Sequence, residues 1–98
     1  MKAVFDDRCS GWSKNHEMNV LFVYQQQNYL NVLLKARGYV TIMDAFNCLG
    51  LPVELARWWS KEFKELCWVY EDGVYIDFGM KPDAINNIIY LDFNIDID

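Results

Sequence analysis

The sequence predicts an α+β fold in which two or three N-terminal helices precede a small antiparallel β-sheet, made of a hairpin plus a C-terminal strand. Three observations predict it. Apolar residues recur at helical spacing up to Arg37, a second helix-start signal with its own stop follows between Thr41 and Gly50, and from Leu66 the apolar period changes to two. At 98 residues the chain has the size of one domain with one core.

Residues 1–17 are the least patterned stretch. Ala3 to Phe5 allows a short strand, and the polar Ser10, Gly11, Ser13, Lys14 and Asn15 then suggest a peripheral arm ahead of a single α+β domain at 18–98. A helix is expected from Met18 or Asn19 to Arg37. Phe22, Val23, Tyr29, Leu30, Leu33 and Leu34 form its apolar stripe, and Tyr24, Asn28, Asn31 and Lys35 fall on the opposite face. Lys35 and Arg37 suit the negative end of the helix dipole, and Gly38 suits the left-handed position after it.

Tyr39-Val40 reads as an extended link. Thr41-Ile42-Met43-Asp44 has the form of a capping box, with a hydroxyl at the N-cap and an acid three residues later, and Gly50 closes that short helix. Pro52 suits the first turn of a third helix, in which Leu55, Trp59, Phe63 and Leu66 share a face. Trp68-Val69-Tyr70 and Val74 to Phe78 flank Glu71-Asp72-Gly73, a hairpin signal. After a turn at Lys81-Pro82-Asp83, the alternation from Leu91 to Ile97 reads as a strand with one wet face.

Composition narrows the class. Over half the residues are apolar and 16% are aromatic, enough to offset the ordering entropy of a folded chain. Three widely spaced cysteines, Cys9, Cys48 and Cys67, make neither a disulfide framework nor a compact zinc site, so reduced thiols in a cytosol are expected. No apolar run approaches the roughly 20 residues of a membrane span, and no signal peptide is visible. The net charge is −5, and from Glu71 onward seven acids face Lys81 alone. Such a surface disfavours nucleic acid and can attract a basic partner.

Motifs for phosphate binding, zinc proteolysis and a nucleophile elbow are missing, and no cofactor is expected. His16, the sole histidine, sits in the polar arm, poorly held for proton transfer. The run from Asp92 to Asp98 spaces oxygens as a calcium loop begins, but Ile97 stands where such a loop needs Gly and no twelfth-position acid follows. A strand with acids outward is the preferred reading, and no metal site is expected. A small metal-dependent enzyme built on Asp77, Asp92 and Asp96 is carried as the weakest alternative.

Helix, link, helix, turn, helix and hairpin is also the element order of winged-helix domains. Residues 52–66 would then be the recognition helix, with Arg57, Lys61 and Lys64 aligned for nucleic-acid contact. Glu54, Glu62 and Glu65 offset that stripe, so a solvated helix face is preferred. Among the aromatics, Trp12 in the arm and Trp58 beside the third helix's apolar stripe are the candidates for exposed partner-binding residues.

Two stretches carry a resemblance. Tyr24 to Asn31, running into Leu33 to Val40 and Leu49-Gly50-Leu51-Pro52, resembles a family of short uncharacterised phage and prophage proteins. So do Trp68-Val69-Tyr70, Tyr75 to Gly79 and Ile89 to Asn94. The match covers about two thirds of the chain. Residues 1–17 and 53–65 depart from the family pattern. The resemblance implies a mobile-element origin in a bacterial cytoplasm, without an assigned activity.

The expectation that follows is a non-enzymatic accessory protein acting by protein–protein binding. Trp12, Trp58, Asp77, Asp92 and Asp96 are its candidate partner-binding residues, and in its narrower form it inhibits a host defence or nucleic-acid-binding protein. A winged-helix-like DNA-binding regulator is the alternative. Pairing of the C-terminal strand with its copy in a homodimer is open.

Overall fold

Asn15 starts the longest element. Its side-chain oxygen accepts the Met18 N–H at 3.2 Å, capping α1 (His16–Arg37). The helix ends where Gly38, at φ +91°, donates its N–H to the Leu34 carbonyl at 2.8 Å. The structure, a computed structural model, describes residues 1–52 and 66–95.

The chain passes directly into β2 (Tyr39–Thr41) and α2 (Ile42–Leu49). The expected capping box is formed: the Thr41 hydroxyl accepts the Asp44 N–H at 3.0 Å, and the Asp44 carboxylate accepts the Thr41 N–H at 2.9 Å. Gly50, at φ +69°, ends α2, and its carbonyl accepts the Ser10 N–H at 3.1 Å. Both predicted N-terminal helices are therefore present, with the predicted stops. Of the third helix expected at 52–66, residues 53–65 lie outside the described residues.

The strands pair differently from the expectation. β3 (Cys67–Val69) does not fold back onto residues 74–78; it pairs antiparallel with β2, Val40 opposite Trp68. The Glu71-Asp72-Gly73 turn is real, since the Val74 N–H reaches the Glu71 carbonyl at 3.0 Å. The predicted hairpin ladder is missing because residues 75–79 find other partners on both sides. From α1, the Gln27 side-chain oxygen accepts the Phe78 N–H at 2.8 Å, and Asn31 bonds both backbone groups of Ile76. On the other side the Asp92 N–H donates to the Phe78 carbonyl at 2.8 Å and the Asn94 N–H to that of Asp77 at 3.1 Å.

The second sheet has the order β1-β5-β4, all antiparallel. β5 (Ile88–Asp92) is its centre, flanked by β1 (Lys2–Phe5) and β4 (Lys81–Asp83). Two expectations are corrected here. Lys81-Pro82-Asp83 is an edge strand, where a proline costs no ladder bond, rather than a turn. The turn is the following Ala84 to Asn87, with Asn87 at φ 52°. Residues 1–17 are not peripheral: β1 joins the sheet, and Phe5 and Cys9 are buried in the core.

The C-terminal strand also ends earlier than predicted, at Asp92, although its inside and outside residues alternate as expected. Beyond it Asn94 turns its side chain to other partners. Its oxygen accepts from the Trp68 indole and from the Asp77 N–H, each at 2.9 Å, and its nitrogen donates to the Tyr75 carbonyl at 2.8 Å. Phe93 is the junction of the core. Its ring meets Phe78 edge-on at 5.2 Å, Trp68 at 6.4 Å and Phe46 at 6.1 Å, joining α2, β3 and the 75–79 segment.

Candidate protein-interaction surface

From Met18 to Leu34 no residue of α1 carries a charge. Such a helix has only neutral amides, Gln25 and Asn28 among them, rather than a charged stripe to give to water. One side of α1 buries Val23, Leu30 and Leu34 in the core. The other side leaves Met18, Leu21, Tyr24, Tyr29 and Val32 exposed, with Val32 at 67% and Leu21 at 47%. Gln25 and Asn28 lie between them, also exposed. A run of neutral, largely apolar side chains on one outer helix face is uncommon on a monomer surface.

The inward side of α1 is less apolar than the stripe reading predicts. Asn31, assigned to the wet face, turns toward Ile76, and Tyr29, assigned to the core stripe, is exposed. Asn19, only 1% exposed, bonds Ser13 twice at 2.8 Å and donates to the Asn87 side-chain oxygen at 2.9 Å. Tertiary partners for three amides, Asn19, Gln27 and Asn31, therefore decide which face is core.

That same polar cluster accounts for two residues singled out in the sequence. Trp12 is not a free anchor for a partner: its indole N–H donates to the Asn87 carbonyl at 2.9 Å and its ring packs on the core. His16 is not in a loose arm but is the first residue of α1, with Nδ1 3.0 Å from the Asn87 side-chain oxygen. The Asn87 amide nitrogen donates to the Ser13 carbonyl at 3.0 Å, which fixes the oxygen toward His16 and makes Nδ1 the donor. The cluster clamps the first turn of α1 to the β4–β5 turn.

Of the acids expected to form a surface, Asp77 and Asp92 lie on adjoining backbone segments, since the Asp92 N–H reaches the Phe78 carbonyl. Asp77 is partly spent on its own turn, accepting the Gly79 N–H at 2.8 Å. Asp92 is exposed and pairs with the Met1 amino group at 3.2 Å. Asp96, Trp58, Arg57, Lys61 and Lys64 lie outside the described residues. Among the described residues, no three of His, Cys, Asp and Glu are grouped as metal ligands would be.

An open cleft of about 390 Å³ runs over the β1-β5-β4 sheet, lined by Lys2, Val4, Gly79, Lys81, Tyr90 and Asp92 among others. Its lysines and Asp92 are all exposed, so it holds no fixed, desolvated polar group. Two of the three thiols, Cys9 and Cys48, are likewise poorly suited to nucleophilic work. Burial pushes the Cys9 and Cys48 thiols above their ordinary pKa, with Asp44 adding to the effect at Cys48.

The family of unknown function DUF6353 matches residues 1–98, the whole chain. The chain belongs to DUF6353. No curated protein and no solved structure matches this DUF6353 chain. Among its described residues, no helix is long and apolar enough to cross a membrane.

The outer face of α1 escaped the sequence reading, which assigned the helix one apolar and one polar side. The signal was present in the uncharged run from Met18 to Leu34, which gives both sides of the helix an apolar content.

Proposed function

We propose that this DUF6353 chain is a non-enzymatic accessory protein that works by binding protein, and that its contact surface is the outer face of α1. The observation that carries the reading is the exposed, uncharged stripe formed by Met18, Leu21, Tyr24 and Val32 on a helix whose other side is already committed to the core. Burying such side chains against a partner is favourable by roughly 25 cal/mol per Å² of apolar surface, before the cost of association. The phage or prophage setting implied by the resemblance suits a small binding module of this kind. The narrower role, inhibition of a basic host protein, has only the exposure of Asp92 and the position of Asp77 in its support.

The test uses Leu21→Glu and Val32→Glu, each placing a charge in the stripe, beside Ile85→Glu at a turn residue that is 95% exposed. All three are expected to keep the helical circular dichroism of the parent. The two stripe variants should lose the protein contacts that chemical cross-linking captures in expressing cells, and Ile85→Glu should keep them. Contacts that survive both stripe substitutions would contradict the reading.

The pairing of β2 with β3 favours a second reading, because it brackets residues 53–65 between two paired strands as a winged-helix order would. In that reading Arg57, Lys61 and Lys64 contact DNA. A low-salt mobility shift that Lys61→Ala weakens supports it, and no shift at low salt removes it.

A further inference from the structure

We infer that the partner of the α1 outer face is a second copy of this chain, docked with its α1 antiparallel about a two-fold axis near Gln25 and Asn28. The inference rests on the protein-binding reading above and names the partner of the same surface.

A two-fold contact requires a self-complementary surface, in which residue i meets j and j meets i. The stripe has that property. Glu17, Leu21, Tyr24, Asn28 and Lys35 follow one another at i, i+4, i+7, i+11 and i+18, so they lie along one line of the helix, with Gln25 and Val32 beside it. Its ends carry opposite charges and its middle carries none. Antiparallel docking sets each Glu17 against Lys35 of the second copy, and each Leu21 near the other Val32. Gln25 and Asn28 meet at the axis, where amides can both donate and accept. Parallel docking would set Glu17 against Glu17 and Lys35 against Lys35.

Two further features of the molecule point the same way. Neither Glu17 nor Lys35 has an ion-pair partner among the described residues, whereas Arg37, the other cation of the last turn, is spent on Asp44 and on the Tyr39 ring. The chain as a whole carries −5, with its acids concentrated after Glu71. Two copies therefore repel where their acidic C-terminal parts meet, and the uncharged middle of α1 adds nothing to that repulsion. At about 1.5 Å per residue a helix of this length offers a stripe roughly 33 Å long for self-association.

Sedimentation velocity of the purified full chain from about 1 to 300 μM reads this directly. The parent is expected to pass from monomer to dimer with rising concentration, and Val32→Glu to stay monomeric. Glu17→Lys and Lys35→Glu should each weaken the dimer by about threefold or more, while the double variant, with the charges exchanged, regains parental affinity. Circular dichroism and urea midpoints of each variant separate lost contact from lost fold. A parent that stays monomeric over this range, a dimer indifferent to Val32→Glu, or a double variant weaker than both singles overturns the inference. A monomeric parent whose stripe still governs cross-links to a different protein sinks the self-association and leaves the protein-binding reading standing. Loss of both sinks the two together.

Discussion

Asn31 of α1 and Ile76 exchange two hydrogen bonds: the Asn31 side-chain oxygen accepts the Ile76 N–H at 2.7 Å, and its nitrogen donates to the Ile76 carbonyl at 2.9 Å. A helix side chain thus replaces the neighbouring strand that residues 74–78 would otherwise need. With Gln27 one turn earlier serving Phe78, the helix holds the buried Ile76 and Phe78 of an extended segment without a ladder.

Asn31→Ala is therefore expected to destabilise the fold by about 2–4 kcal/mol, since it strands a donor and an acceptor on a residue with no solvent exposure. Asn28→Ala, on the exposed face of the same helix, should stay within about 0.5 kcal/mol in monomeric conditions. Urea unfolding of the two variants makes the comparison.

Phe93→Ala should cost about 3–5 kcal/mol, because the ring it removes is the shared neighbour of Phe46, Trp68 and Phe78. The near-ultraviolet dichroism of Trp68 should collapse with it. Preserved stability would mean that the core is not centred on this ring.

Gly38 and Gly50 end the two helices with the same left-handed backbone but in different surroundings. A Cβ on Gly38 would meet nothing within 4 Å, whereas one on Gly50 would fall 2.9 Å from the Ser10 backbone nitrogen. Gly38→Ala should cost about 1 kcal/mol for its positive φ. Gly50→Ala should exceed it by about 1–3 kcal/mol, because backbone cannot move aside as a side chain can.

Asp44 links the α1 terminus to the α2 cap. Burial alone would raise its pKa, but the Thr41 N–H, the Arg37 guanidinium and the Thr41 hydroxyl outweigh that and hold the carboxyl below its ordinary 3.8. A carboxyl depressed in the folded state stabilises the fold above its unfolded pKa, and the gain is lost as pH falls through the folded value. Thermal midpoints measured from neutral pH down to about pH 2 should fall less steeply in Asp44→Asn than in the parent. Thr41→Ala should cost about 1 kcal/mol at neutral pH.

Local signals in the sequence were readable wherever a few consecutive residues decide the outcome. The capping box at Thr41 and Asp44, the stops at Gly38 and Gly50, and the Asp72-Gly73 turn all form where short-range chemistry places them. Long-range choices were not readable. Trp68-Val69 has two extended segments within reach, and the one chosen, Tyr39 to Thr41, wins because Gln27, Asn31, Asp92 and Asn94 already satisfy the other. Residues 1–17 looked peripheral because their polar stretch hides the strand that precedes it and the Asn87 clamp that holds it down. The outer face of α1 was hidden for a related reason: periodicity finds a face that is apolar against a polar one, and here both faces mix apolar side chains with neutral amides.

The central claim, that the outer face of α1 is a protein contact, is tested most directly by placing a photoreactive phenylalanine analogue at Val32 in the full chain and irradiating it in the cells that express it. A covalent protein adduct at position 32, absent when the same group stands at Ile85 and lost when Leu21→Glu is added, is the predicted result. An unmodified chain at position 32, or equal labelling from both positions, would contradict it.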